Sequence, residues 1–299
     1  MISAELRPRG PYSFRVSSRL GSDATRVISE GIYRTTIGVD DRLERVRAWQ
    51  QADGSVCVRA DSEAGVEHVR FALGLDDDHS EFLRRFERDP LLGEATRRLR
   101  GLRPLRTATV AQSLLRAVTG QLIAAQEARR IERTIVRAAT PALDGLHRAP
   151  AGRDLARFSP AQLTSLGLGA RRAGALIRLC RAFDLERLRG VPTEAAALRL
   201  GRERGLGPWS IGVVCLQGLG RFERGLARDL GLVKLLSDLR GRWVEPEETD
   251  ELLVPYGEWA ELASVFLLAG YHAGLVPLPD AHRDPRRRQD RRVPPRRAA

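Results

Sequence analysis

The stretch GLGPWSIG, Gly205 to Gly212, sets two glycines and a proline between segments of helical spacing. Glycine admits left-handed backbone angles, or lets another molecule approach the main chain closely. Proline suits the first position of a new helix, where its missing N–H costs nothing. TEAAALRLGRER (193–204) precedes the stretch and IGVVCLQGL (211–219) continues it, both with apolar residues at helical intervals. The stretch therefore reads as a tight hairpin between two helices. Unpaired N–H groups and a partial positive charge at the start of the second helix suit an anion such as one phosphate. LGLGARRAGAL (166–176) is a weak internal echo of the same Gly-Leu-Gly. A dinucleotide-binding sheet needs a strand before such glycines, and a helical pattern stands there instead.

Working outward, helical spacing runs from about residue 76 to about 274. It predicts helices over 79–88, 92–99, 109–118, 121–139, 160–166, 170–183, 192–203, 208–218, 230–238, 247–253 and 258–272. The first 75 residues differ. YSFRVSS, GIYRTTIGV, LERVRAWQ, SVCVRADS and HVRFALGL read as period-two strands separated by Gly21, Asp40–Asp41 and Asp53–Gly54. The expected fold class is α+β: a small antiparallel β-rich domain over 1–76, an all-α domain over 77–279, and an Arg/Pro-rich tail over 280–299 that reads as disordered.

The formal charge of +12 favours a polyanionic partner. Eight arginines and two aspartates in 281–299 supply +6 of it, and Lys234 is the only lysine. Such a bias also arises from genome composition, so charge alone does not decide the partner. Cys57, Cys180 and Cys215 are too scattered for a disulfide framework or a metal cage. The chain opens without an apolar signal-like run, and the apolar stretch 263–278 is interrupted by His272, two glycines and Pro277. These features lead us to expect a cytoplasmic protein without a membrane span.

Beyond the hairpin, RFERGLARDLGLVKLL (221–236) places Asp229 ahead of an apolar helical run, where an aspartate is a favoured N-cap. Hairpin, helix, Gly-containing turn and aspartate together resemble the helix-hairpin-helix DNA glycosylase superfamily, which excises damaged bases. RRLRGLRPLRTATVAQSLLRAVTGQLIAAQEARRI (97–131) is similar to the stretch opening the helical domain of the DNA-3-methyladenine glycosylase II family. Its Gly-Gln-Leu matches Gly120, Gln121 and Leu122. LTSLGLGARRAGALIRLCRAF (163–183) resembles the next helix pair, and RGLGPWSIGVVCLQGLG (204–220) the family hairpin. The β-rich N-terminal segment fits that family's extra domain.

The resemblance implies roles for particular residues. A base must leave the stack to be excised, so Leu122 would wedge into the gap with Gln121 beside it. Amides around Gly205, Gly207 and Ser210 would hold a backbone phosphate of double-stranded DNA, a contact that positions without reading sequence. Family hairpins also hold a monovalent cation, Na⁺ or K⁺, on carbonyls, here those of Gly201, Glu203 and Leu206; no other cofactor is implied. Asp229 would be the catalytic carboxylate, ionised at neutral pH given an ordinary value of about 3.9. It would stabilise oxocarbenium-like charge at C1′ or orient water. Trp209 would face a cationic base, which suits alkylated purines.

Glycosylases that also cut the strand use a Schiff-base lysine in the hairpin region. None lies there, so a monofunctional enzyme without lyase activity is implied, a monomer is expected, and the four-cysteine cluster of the iron–sulfur branch is missing. Gly225, Leu226 and Ala227 occupy a turn where the family usually has a proline. Val213 and Leu230 stand where the methyladenine enzyme has tyrosines, and its later pocket tryptophan has no counterpart near Leu268. These departures bear on which base is taken. The alternative from another class is a helix-hairpin-helix protein that binds DNA without catalysis. A zinc deaminase is set aside: His79, Ser80 and Glu81 fit half its motif, but no Pro-Cys-x-x-Cys follows.

Overall fold

The computed structural model describes residues 1–18, 21–121 and 123–279. Leu122 and the 280–299 tail lie outside the described residues.

The N-terminal part is built on five strands: β1 (Ile2–Leu6), β2 (Arg26–Ser29), β3 (Ile32–Val39), β4 (Arg42–Gln50) and β5 (Val56–Ala60). They form one antiparallel sheet in the order β1-β5-β4-β3-β2. Two-residue turns set the register. Glu30–Gly31 and Asp40–Asp41 all have positive φ, the geometry that matches the twist of a tight hairpin. Two of the five expected strands are helices instead. Phe14–Ser17 is a single turn, α1, whose preceding Ser13 hydroxyl accepts the Val16 N–H at 3.4 Å. HVRFALGL falls in α2 (Glu63–Ala72) and the turn after it. Val66, Val69, Ala72 and Leu73 recur every three or four residues and are buried against the sheet. Helical spacing over so short an apolar run was masked by its alternate polar residues. Gly65 allows the close approach: a Cβ there would sit 2.5 Å from that of Ala60 on β5.

Among the described residues twelve further α-helices follow: α3 (Ser80–Phe86), α4 (Gly93–Arg98), α5 (Val110–Gly120), α6 (Ala125–Ala139), α7 (Gly152–Ala156), α8 (Pro160–Ser165), α9 (Ala170–Ala182), α10 (Thr193–Gly201), α11 (Pro208–Val213), α12 (Leu230–Arg240), α13 (Glu248–Leu253) and α14 (Ala260–His272). The 77–279 segment is not all-α as expected. Ala142–Leu143 and Leu146–His147 pair as a small hairpin, β6 and β7, around the positive-φ pair Asp144–Gly145. Its His147 N–H donates to the Ala24 carbonyl at 3.0 Å, and its Leu143 carbonyl accepts the Thr36 hydroxyl at 3.2 Å.

At the centre of the helical core lies α5, buried nearly all round, with Leu114, Leu115, Phe266 and Leu267 among the fully buried side chains. Each such side chain contributes roughly 1.5–3 kcal/mol of burial free energy. Buried arginines join the two parts. The Arg103 guanidinium donates to carbonyls of Gly74, Arg9 and Pro11, and the Arg26 guanidinium donates to the Arg106 carbonyl at 2.5 Å. Glu248–His272 is apolar and long enough by composition to cross a bilayer. It is broken at Gly257 (φ 49, ψ −123), and half of its most apolar window is buried.

Candidate functional site

The hairpin forms as its residues dictate. α10 ends at Gly201, and Gly205 takes φ +99, open to glycine at no steric cost. Gly207 is instead extended (φ −84, ψ 177) and is the N-cap of α11, with Pro208 at the first helical position. A left-handed angle is therefore needed at one glycine only. A Cβ at Gly207 would meet no protein atom within 4 Å, so what glycine supplies there is open space. α11 runs on as a π-helical turn, Val214–Leu219, and stops at left-handed Gly220. Single π turns inside helices recur at functional sites.

Five of the residues singled out in the sequence, Gln121, Gly205, Trp209, Ser210 and Asp229, come together here. The Gln121 side-chain amide donates to the Gly205 carbonyl at 2.7 Å and to the Ser210 hydroxyl at 2.8 Å. Ser210 is buried and Leu206 points into the helical core, while Gly205, Gly207 and Pro208 are exposed. The Trp209 indole N–H donates to Asp229 Oδ2 at 2.7 Å. The opposite edge of that ring abuts the end of α5: a Cβ on Gly120 would lie 2.7 Å from Trp209 Cη2.

Asp229 is the N-cap of α12, its Oδ1 accepting the Gly231 N–H at 2.7 Å. It is thus a cap, as the local sequence suggests, and also a partner of the hairpin. Leu230 beside it is half exposed, and Leu268 closes over Gly231, where a Cβ would sit 2.5 Å from Leu268 Cδ2. Lys234 is exposed one turn farther along α12. Two hollows lie beside the hairpin, of about 330 and 280 Å³. Their linings include Gly201, Ile211 and Arg224 in one, and Pro208, Gly225 and Asp250 in the other; Asp229 lines neither.

The turn without its proline is held by other means. Gly225 and Arg228 both have positive φ, and Arg228 is not a glycine. The Leu226 N–H donates to the Ser264 hydroxyl at 3.1 Å, and the Arg228 N–H to that of Thr249 at 2.7 Å. The Arg228 guanidinium pairs with Glu247 at 3.2 Å and Asp250 at 3.5 Å. Gly212 permits the packing, since a Cβ there would lie 2.6 Å from the Gly225 carbonyl oxygen. Sequence reading missed Thr249 and Ser264, and left open what Arg172 contacts. Arg172 donates to the Gln121 carbonyl at 2.9 Å and fixes the segment leading to Leu122. No local signal marks these three, because each acts on a segment remote in sequence.

Behind the hairpin, Glu261 is fully buried and neither carboxylate oxygen has a hydrogen-bond partner. Burial, reinforced by the nearby Glu223 carboxylate, pushes its carboxyl well above the usual range. The carbonyls of Gly201, Glu203 and Leu206 lie at the end of α10 and in the hairpin. That of Glu203 accepts the Leu206 N–H at 3.2 Å and keeps a second lone pair. Among the described residues no group of three or more His, Cys, Asp or Glu side chains could hold a metal.

No family model matches the chain. A DNA-3-methyladenine glycosylase of Bacillus subtilis is 26% identical over 214 residues, covering 68% of this chain and 70% of that protein. The 3-methyladenine DNA-glycosylase from Archaeoglobus fulgidus superposes with a TM-score of 0.78 at 21% identity, covering 92% of this chain and 98% of that one. The Clostridium acetobutylicum 8-oxoguanine glycosylase/lyase, solved with double-stranded DNA, gives a TM-score of 0.72 at 16% identity, covering 92% and 99%. The chain thus shares its fold with these solved DNA glycosylases, and its sequence is similar to that of a DNA-3-methyladenine glycosylase, in line with the resemblance carried by the hairpin stretch.

Proposed function

We propose that this chain is a base-excision-repair DNA glycosylase that hydrolyses the N-glycosidic bond of damaged purines, alkylated ones in the first place. The observation that carries the reading is the link between Asp229 and the hairpin through the Trp209 indole, at 2.7 Å. A residue that merely capped α12 would need only the Gly231 N–H.

In this reading residues 77–279 form the glycosylase domain, 1–76 an accessory domain, and the protein acts as a cytoplasmic monomer. The exposed amides at Gly205 and Gly207 hold a phosphate of the duplex, and arginines 202 and 204 flank them at the surface. Asp229 lies beside C1′ of the extruded nucleotide, where its negative charge stabilises the oxocarbenium-like transition state. An alkylated purine already carries positive charge and departs without a strong general acid. The name of the Bacillus subtilis relative supports this substrate class. The carbonyls of Gly201, Glu203 and Leu206 would hold a Na⁺ or K⁺ ion that stiffens the hairpin, oxygen donors being suited to such a hard cation.

Cleavage of the strand is not expected, because the hairpin carries no lysine. The decisive experiment incubates the protein with duplexes containing single defined lesions, 3-methyladenine, 7-methylguanine, hypoxanthine and 8-oxoguanine, and scores abasic sites. Release from the alkylated duplexes is expected. Tight binding to every duplex without release of any base would instead establish a non-catalytic DNA-binding protein.

A further inference from the structure

The resemblance assigns the Trp209 ring to the damaged base, but the indole is engaged elsewhere. Its N–H edge donates to Asp229 Oδ2 at 2.7 Å, and its Cη2 edge meets the end of α5 at Gly120, where even a methyl group would intrude. The ring packs against the helical core and is only partly exposed. Asp229 therefore receives two donors from two different elements: Gly231 of its own helix on Oδ1, and Trp209 of α11 on Oδ2. The cap alone leaves the second oxygen free to swing. The indole fixes it.

We propose that Trp209 is a positioning residue, which orients the Asp229 carboxylate and ties it to the placement of the Gly120–Gln121 segment. That segment is itself held to the hairpin by the Gln121 amide and clamped by Arg172. One connected set of contacts thus runs from the segment beside the proposed wedge to the carboxylate. A shift of Gly120 on DNA binding moves the indole, and with it Oδ2. Preorganisation of this kind matters because a misplacement of about 1 Å costs on the order of 100-fold in rate. The inference rests on the glycosylase reading for its consequence, but not for the contact itself.

Two measurements on the full chain test it. In a ¹H–¹⁵N spectrum of the four tryptophan indoles, Asp229→Ala should move the Trp209 N–H resonance upfield and leave those of Trp49, Trp243 and Trp259 in place. A Trp209 resonance that does not move overturns the proposal whether or not the protein is an enzyme. In single-turnover base release, Trp209→Phe keeps an aromatic ring and deletes the donor. It should lower the maximal rate about 10- to 100-fold, the range for losing one hydrogen bond to a charged group, with lesion-duplex affinity unchanged. Gly120→Ala, which pushes on the same ring from the other side, should give the same rate loss and the same indole shift. A Trp209→Phe protein that keeps its rate but binds lesion duplex weakly would assign the ring to base stacking and overturn the proposal. Absence of base release by the unmodified protein defeats the glycosylase reading and leaves the spectrum to decide the contact.

Discussion

Asp229→Asn separates a catalytic carboxylate from a helix cap, and the structure gives the size of both effects. Asparagine is as good an N-cap as aspartate, so a residue that only capped α12 would tolerate the change. Asp229, however, accepts two N–H groups on two oxygens, and asparagine has one oxygen and one NH₂. With its oxygen toward Gly231, its NH₂ confronts the indole N–H and leaves a part-buried donor unpaired, which costs about 1–3 kcal/mol. Flipped, it serves the indole and loses the cap, which costs about 0.5–2 kcal/mol. Either way stability falls by roughly 1 kcal/mol or more, a drop of about 2–4 °C in melting temperature per kcal/mol for a large domain. Base release should fall roughly 100- to 1,000-fold, the usual effect of removing one preorganised electrostatic group, while duplex affinity stays nearly constant. Thermal melts, single-turnover release and fluorescence anisotropy read these quantities. Release at the unmodified rate would eliminate the catalytic role, and an unchanged melting temperature would mean that the Trp209–Asp229 bond contributes nothing to folding.

Glu261→Gln tests the buried acid behind the hairpin. The folded carboxyl is raised above its unfolded value, so its contribution to stability is full below about pH 4 and is lost as pH rises through the folded value. Urea midpoints should therefore decline with rising pH in the unmodified protein relative to Glu261→Gln; parallel curves would refute this. Gly207→Val should fold normally, since its side chain enters open space, yet weaken binding to damaged and undamaged duplex alike. Unaltered affinity would reduce the hairpin to a simple turn. The product should be an intact strand with an abasic site, nicked only by added alkali; borohydride trapping of an enzyme–DNA adduct through Lys234 would reverse that reading.

Sequence by itself determined the elements whose physics is local. A proline after two glycines opens α11, apolar spacing lays out most of the helices, and Asp229 precedes an apolar run as an N-cap must. Where local signals conflict, it misled: HVRFALGL alternates well enough to pass for a strand, and only the sheet beneath it selects the helical spacing of Val66, Val69 and Leu73. The site itself was legible as a set of residue types, carried by resemblance, and not as a geometry. Trp209 meets Asp229 across 20 residues, Gln121 meets Gly205 across 84, and Arg172 holds Gln121 across 51. Such contacts leave no periodic trace in a single chain, because they depend on how close whole helices pack. That closeness is set at Gly120, Gly212 and Gly231, where a single added carbon would collide with Trp209, the Gly225 carbonyl or Leu268. The turn before Asp229 follows the same logic: without a proline to stiffen it locally, the hydroxyls of Thr249 and Ser264 hold it from α13 and α14. Local chemistry chose the residues, and packing between distant segments decided which of them face each other.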